Sequence, residues 1–206
     1  MADGCCGDAS HSADVLRAID FAHLTCLNEA EAGSAARVLR PHEARANRDA
    51  GALASAGADA ELLLSIPFTS TVRLRALCVA ADAAPAAPAR VRLFINAPQL
   101  DFAGAAAREP AQEVVLADAD ARGATWHALR AARFNNVTSV QLYFSGNLGA
   151  PDDAAAAAVR LFFVGLRAEV TGFKRGVVHA EYEARAAPSD HAYAALGAGA
   201  ASAPPT

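Results

Sequence analysis

The side chains best suited to chemistry in this chain of 206 residues are four cysteines, six histidines and a scatter of loop carboxylates. Cys5 and Cys6 stand together with His11 close behind, and thiolate plus imidazole is the donor set of a soft metal site. A zinc site needs a second ligand pair at short spacing, and the chain contains neither Cys-x-x-Cys nor His-Glu-x-x-His to supply one. Without Cys-x-x-Cys, dithiol redox chemistry has no motif either. Cys26 and Cys78 lie in apolar runs and read as small buried hydrophobes. The histidines at 11, 23, 42, 127, 179 and 191 are scattered. His179 falls on the polar beat of a strand pattern. His127 follows Trp126 at a strand-like start, where a hydrogen bond across the sheet is its expected role. Asp118, Asp120, Asp152 and Asp153 could bind calcium at a sheet edge, but no EF-hand spacing holds them together and solvated loop charge is the default. The nucleophile elbow, the phosphate-binding loop and the dinucleotide fingerprint are all missing from the sequence. Asn136-Val137-Thr138 is a glycosylation sequon, usable only on the secretory route. The reading is a non-catalytic chain with no cofactor and no metal.

Bulk properties narrow the class. The formal net charge is −4, which disfavours nucleic acid or an anionic membrane as the main partner. No run approaches the 18 apolar residues of a membrane span, and residues 1–14 are polar and glycine-bearing, unlike a secretory signal. The hydrophobic fraction of 53% is inflated by alanine, yet the larger apolar residues suffice for a single core. Lys174 is the sole lysine among 18 basic residues, a bias that GC-rich codons explain. With no export signal, free thiols in a reducing compartment are expected.

Something must position whatever site exists, and the pattern is a period of two. Val72, Leu74 and Ala76 alternate with Arg73 and Arg75; Val91, Leu93 and Ile95 with Arg92, Phe94 and Asn96; Val140, Leu142 and Phe144 with Gln141, Tyr143 and Ser145; Val178, Ala180 and Tyr182 with His179, Glu181 and Glu183. Alternation with polar off-beats predicts antiparallel strands that bury one face. Residues 159–170 start the same way, with Gly165 as a bulge or bend. Pro85, Pro88, Gly146, Gly149 and Pro151 punctuate the connections, and the alanines at 154–158 are too few for an isolated helix. One helix is suggested by Val15, Leu16, Ile19, His23 and Leu27 with Asp14 as cap, although Ile19 to Leu24 also alternates. The expected fold is all-β, a sandwich or barrel with a short helical or irregular N-terminal segment.

A set of short motifs sharpens this. In order they are Cys26-Leu27-Asn28-Glu29, Ala58 to Leu63, Ile66-Pro67-Phe68, Val91 to Pro98, Leu100-Asp101-Phe102, Glu109 to Glu113, Arg133 to Ser139 and Phe163 to Arg167. Each is weak alone; as an ordered set over about residues 15–190 they resemble the PITH domain, the proteasome-interacting module of certain thioredoxin-like proteins. The Cys-Gly-Pro-Cys of a thioredoxin head is not in the chain, and the stretch after Gly165 is similar to that of stand-alone PITH domain-containing proteins. Ala111 departs from the Thr often found there, as does the alanine before Val159.

The resemblance implies a jelly-roll-like antiparallel β-sandwich, related to galactose-binding and allantoicase-like domains, over residues 15–190, with tails at 1–14 and 191–206. In that fold Phe68, Phe94, Phe134 and Phe163 are expected to be buried, Pro67 to sit at a strand start or edge, and Asn96, Asn135 and Asn136 to make turns. It also implies a non-catalytic adaptor that docks, as a monomer, on the regulatory particle of the 26S proteasome, in the cytoplasm and nucleus. The expected contact surface is the rim at 97–112, through Gln99, Asp101, Phe102, Arg108 and Glu109, and secondarily the loop at Gly146–Asp153, through Asn147. The alternative is a rim pocket for a small carbohydrate-like ligand, with Trp126 as stacking platform.

Overall fold

The computed structural model describes residues 15–148 and 157–174. The described residues form an antiparallel sandwich of eight strands: β1 Thr25–Leu27, β2 Leu53–Ala54, β3 Leu62–Ala81, β4 Pro88–Ile95, β5 Gln112–Val115, β6 His127–Ala128, β7 Val137–Asn147 and β8 Arg160–Lys174. The strand pattern at 178–182, the alanine tract short of Ala157, the sequence-predicted cap Asp14, and both tails lie outside the described residues.

The 20-residue β3 organises both layers. Its first part, Leu62–Pro67, pairs with β7 and continues the order β3-β7-β4-β5; its second part, from Ser70 to Ala81, pairs with β8, on whose far side lies β2. Pro67 sits at the handover. Its pairing partner is Ser139, and the β3–β7 register shifts immediately after it. The proline is thus inside a strand rather than at its start, tolerated because the ladder breaks where its missing N–H would be needed. Its carbonyl accepts from the Asp20 N–H at 2.9 Å.

The apolar phase of β3 records its irregularities. Leu62, Leu64, Ile66, Val72 and Leu74 face the central core, after which the phase slips and Leu77, Val79 and Ala81 face it instead. A register shift between Leu74 and Ala76 produces the slip. A second shift, between Ala80 and Ala81, leaves Phe162 of β8 as the extra residue. Gly165, expected to mark a bulge, is instead in regular pairing with Cys78. Its reason is contact: an added Cβ would lie 2.6 Å from Phe163 Cζ. The Phe163 ring lies across the glycine on the outer face of the sheet.

Phe68, Phe94, Phe134 and Phe163 are all buried, as expected. The N-terminal helix is shorter than its spacing suggested. Residues 15–18 are helical, then Ile19 bridges to Phe68 and Phe21–His23 form a 3-10 turn capped by Asp20, before β1 pairs with Leu63–Ser65. Beyond Ile19 neither the helix nor the alternation continues: one bridge to β3 and a 3-10 turn replace them, because pairing with β3 satisfies backbone groups that a lone two-turn helix would leave open.

The outer faces are not bare. Gln141 and Tyr143, read as polar off-beats of a one-faced strand, are 1% and 4% exposed. The segment between β4 and β5 folds over them. On the other layer Trp126 and the loop leading to β6 cover Cys78, Ala80 and Phe163.

Candidate functional site

The segment 97–112 starts from a residue with an unusual backbone. Asn96 takes φ 53°, in the left-handed region where Asn is among the least strained residues. Its Oδ1 accepts from Thr138 N–H at 2.8 Å, Thr138 Oγ1 at 2.9 Å and Ser139 N–H at 3.3 Å, while Nδ2 donates to the Asn136 carbonyl at 2.9 Å. One side chain therefore ties the exit of β4 to the entry of β7. Asn135 and Asn136 supply the partner turn without positive φ. The Gln141 side chain accepts from the Ala97 N–H at 3.1 Å and holds the next residue down.

Asp101 then caps the helix Phe102–Ala107, accepting from the Gly104 N–H at 2.7 Å. A Cβ at Gly104 would meet Asp101 Oδ1 at 2.9 Å, so a larger residue there would make the capping carboxylate shift. Phe102 packs edge-on to Tyr143 with ring centres 6.2 Å apart, and Leu100 and Ala105 join it against Leu63 and Phe94. Arg92 closes the C-terminal end: Nη1 donates to the Ala105 and Ala106 carbonyls and Nε to Glu113 at 3.0 Å. Asp101 and Phe102, expected as contact residues, thus fasten the segment to the sheet.

Beyond the helix the chain turns into β5 and opens a cleft of about 260 Å³. Phe94, Ile95, Pro110 and Ala111 form its apolar floor; Arg108, Glu109 and Arg133 form its rim. Arg133 Nη1 donates to the Ala111 carbonyl at 3.2 Å and stands 3.8 Å from the Glu109 carboxylate. The Glu109 side chain is 86% exposed, so that pair is weak. Arg108 is exposed, and its guanidinium has no hydrogen bond or ion pair among the described residues. Gln99 is exposed on the turn before the helix. Asn147 is buried, at 7% exposure, because its amide donates to the Pro85 and Ala157 carbonyls and accepts from the Ala157 N–H. That locks the loop at its start; residues 149–153 of the loop lie outside the described residues. The sequence reading missed Arg133 and the apolar floor; the alternation of Phe94 and Ile95 around β4 shows only which face each takes, not which loop leaves a gap above it.

A larger, open cleft of about 550 Å³ lies between Arg48, Asp82, Asp118, Arg122 and Phe162. Two of its four charged side chains are engaged. Arg48 lies 4.0 Å over the Phe162 ring and donates to the Ala81 and Ala121 carbonyls, and Asp82 faces Arg160 at 3.6 Å. The most buried acid among the described residues, Asp120, is held between His127 Nε2 at 3.0 Å and the Ala117 N–H at 2.8 Å. Nearby, Cys78 donates its S–H to the Gly123 carbonyl, and burial pushes the thiol up to about 11. Burial likewise pushes Cys26 up to about 12. Neither is an activated nucleophile. Trp126 is covered by the Arg167 guanidinium, 4.0 Å above the ring, with His42 at 5.0 Å, so its face is not an open stacking platform. Among the described residues no three His, Cys, Asp or Glu side chains converge as a metal site; Cys5, Cys6, His11, Asp152 and Asp153 lie outside them.

Fold and surface together define a β-sandwich module whose accessible polar features are shallow charged clefts. The family model for the PITH domain matches residues 6–186, and the chain belongs to the PITH domain family. It is 35% identical over 179 residues to PITH domain-containing protein 1 of Danio rerio, spanning 86% of this chain and 80% of that protein. Against PITH domain-containing protein 1 of Homo sapiens it is 36% identical over 174 residues, spanning 84% and 78%. Against that of Dictyostelium discoideum it is 27% identical over 194 residues, spanning 90% and 92%. These relatives are named for the domain and not for an enzymatic activity. Among solved structures the chain is similar to CBM32-3 from a family 31 glycoside hydrolase of Clostridium perfringens, at 12% identity and a TM-score of 0.44, covering 74% of this chain and 95% of that one.

Proposed function

We propose that this PITH domain is a non-catalytic, monomeric adaptor that associates with the proteasome regulatory particle in the cytoplasm and nucleus. Membership of the family supports the choice of partner, and the surface supports the manner of binding. The observation that carries the reading is the free Arg108 at the lip of an apolar-floored cleft, beside exposed Glu109 and Gln99 on a segment fastened rigidly to the sheet. A loop held by a helix cap, an aromatic pair and Arg92 can present charges in fixed positions, which lowers the ordering cost of binding.

The test is affinity purification of the tagged chain from its native cells, with mass spectrometry of the captured proteins at low and moderate salt. Regulatory-particle subunits should be enriched at low salt and fall as salt rises, since exposed charge pairs are screened. Arg108→Glu with Glu109→Arg should reduce the enrichment while leaving the melting temperature unchanged. Lack of regulatory-particle subunits at low salt would overturn the proposal.

A further inference from the structure

Resting on that reading, we propose that the cleft at Arg108, Glu109 and Arg133 receives an acidic peptide segment of the partner, with an apolar side chain on the floor and flanking carboxylates on the two arginines. Three observations lead there. The cleft, at about 260 Å³, is smaller than the roughly 300–1,000 Å³ usual for a small-molecule site, so it fits a side chain of a longer ligand. Its floor is apolar: Ile95, Pro110 and Ala111 are half-buried, and Phe94 closes the bottom.

The charge around it is positive on a chain whose net charge is −4. Arg108 is uncommitted. Arg133 has one nitrogen on the Pro110 and Ala111 carbonyls and a long contact to Glu109. Arg130, on the same turn, is exposed and also has no side-chain partner among the described residues; its backbone N–H is fixed by Gln112 at 2.9 Å. Glu113, the nearby acid on β5, is already taken by Arg92. Two guanidiniums, Arg108 and Arg133, therefore line the cleft against one exposed carboxylate, Glu109, with Arg130 on the adjoining turn.

A peptide suits the geometry better than nucleic acid. Single strands are held largely by bases stacking on aromatic faces, and the aromatic ring in this cleft, Phe94, is 2% exposed. Guanidinium forks also match carboxylates bidentately, and that match favours an acidic segment over a merely polar one.

Two labelled ten-residue probes test this by fluorescence anisotropy on the full chain. One has a central Leu-Phe flanked by Glu and Asp; the other has the same sequence with Gln and Asn. The acidic probe should bind at least about tenfold more tightly, and Arg108→Glu together with Arg133→Glu should abolish most of that difference, as two exposed charge pairs would. Arg108→Glu alone, which touches no structural hydrogen bond, should lose about fivefold. Arg122→Glu, the same charge change at the other cleft, should leave binding intact. Equal binding of the two probes, insensitivity to Arg108→Glu, or tighter binding of a ten-nucleotide oligothymidylate than of the acidic probe would overturn the inference. If regulatory particles are still captured in that event, the adaptor reading stands without it. If the acidic probe binds as expected but no regulatory particle is captured, that reading fails while the cleft's specificity stands.

Discussion

Asn96 is where the rim can be loosened without touching the core, and the effect can be worked out in parts. Asn96→Ala removes four hydrogen bonds that join β4 to the entry of β7 and leaves an alanine at φ 53°. A left-handed alanine costs about 1 kcal/mol relative to a residue at ease there. The hydrogen bonds are mostly solvent-exposed, so water replaces most of them; the part-buried Ser139 N–H is the costly one, and together they contribute about 1–2 kcal/mol. The sum is about 2–3 kcal/mol, or about 5–10 °C in melting temperature for a domain of this size. Asn96→Gly restores the backbone and should lose about 1–2 kcal/mol, while Asn96→Asp keeps the three accepting contacts and should lose about 1 kcal/mol or less. Urea unfolding followed by circular dichroism and by fluorescence of the sole tryptophan, Trp126, gives the order wild type, Asp, Gly, Ala. If Ala and Gly cannot be distinguished, backbone conformation is not part of the role. If neither departs from wild type by more than about 0.5 kcal/mol, the clamp is not one.

Gly165→Ala should destabilise the domain by about 2–3 kcal/mol and shift the Trp126 emission, because the new methyl meets Phe163 at 2.6 Å and Trp126 Cη2 at 3.2 Å; unchanged stability and emission would place the rings elsewhere. His42 has its pKa held below the ordinary value, first by desolvation and then by the Arg45 and Arg167 charges. The unfolded chain therefore binds a proton that the folded chain resists, and stability should fall as pH drops below about 6.5. Melting temperatures at pH 7.5 and 5.5, above the carboxylate range, should converge in His42→Phe, which keeps a ring against Trp126 and Phe163; an unaltered difference would assign the pH dependence to another group.

Much of this arrangement is readable from residue order. Val72 with Leu74, and Val91 with Leu93, are buried as the alternation predicts, and Arg73 and Arg75 on the off-beat do meet solvent, shared with Glu169 across to β8. The same rule misleads at Gln141 and Tyr143, because alternation reports which face a residue takes and not whether a distant segment later covers that face. The covering helix is six residues long and mostly alanine, too short and too lacking in large apolar residues for its periodicity to appear in the sequence. Its signal was chemical instead: Asp101, whose carboxylate accepts from the N–H three residues on, is a helix cap. Pro67 misled in the opposite way, since a proline suggests a strand boundary, and only the handover of β3 between partners lets it lie inside one.

The assignment of the candidate surface turns on which charges the fold leaves unused. Most arginines in the described residues are committed to architecture: Arg92 closes a helix, Arg48 and Arg40 donate to backbone carbonyls, Arg73 and Arg75 share Glu169, and Arg167 covers Trp126. A guanidinium is well suited to these tasks, because its fork satisfies several carbonyl or carboxylate oxygens at once while its planar face packs on a ring. In a chain where almost every cation is an arginine, a patch of arginines is therefore weak grounds for a binding site. Arg108 and Arg130, like Arg17, Arg90 and Arg122, do none of this work, but these two flank segments that are firmly held by Asp101, Arg92 and Gln112. Rigid backbone beneath idle charge is the combination that stability alone does not require. The proposed interaction surface is therefore the β4–β5 end, where Arg108 and Arg130 are both idle, rather than the larger cleft, where Arg122 alone among the lining arginines is idle and Arg48 and Phe162 already satisfy one another.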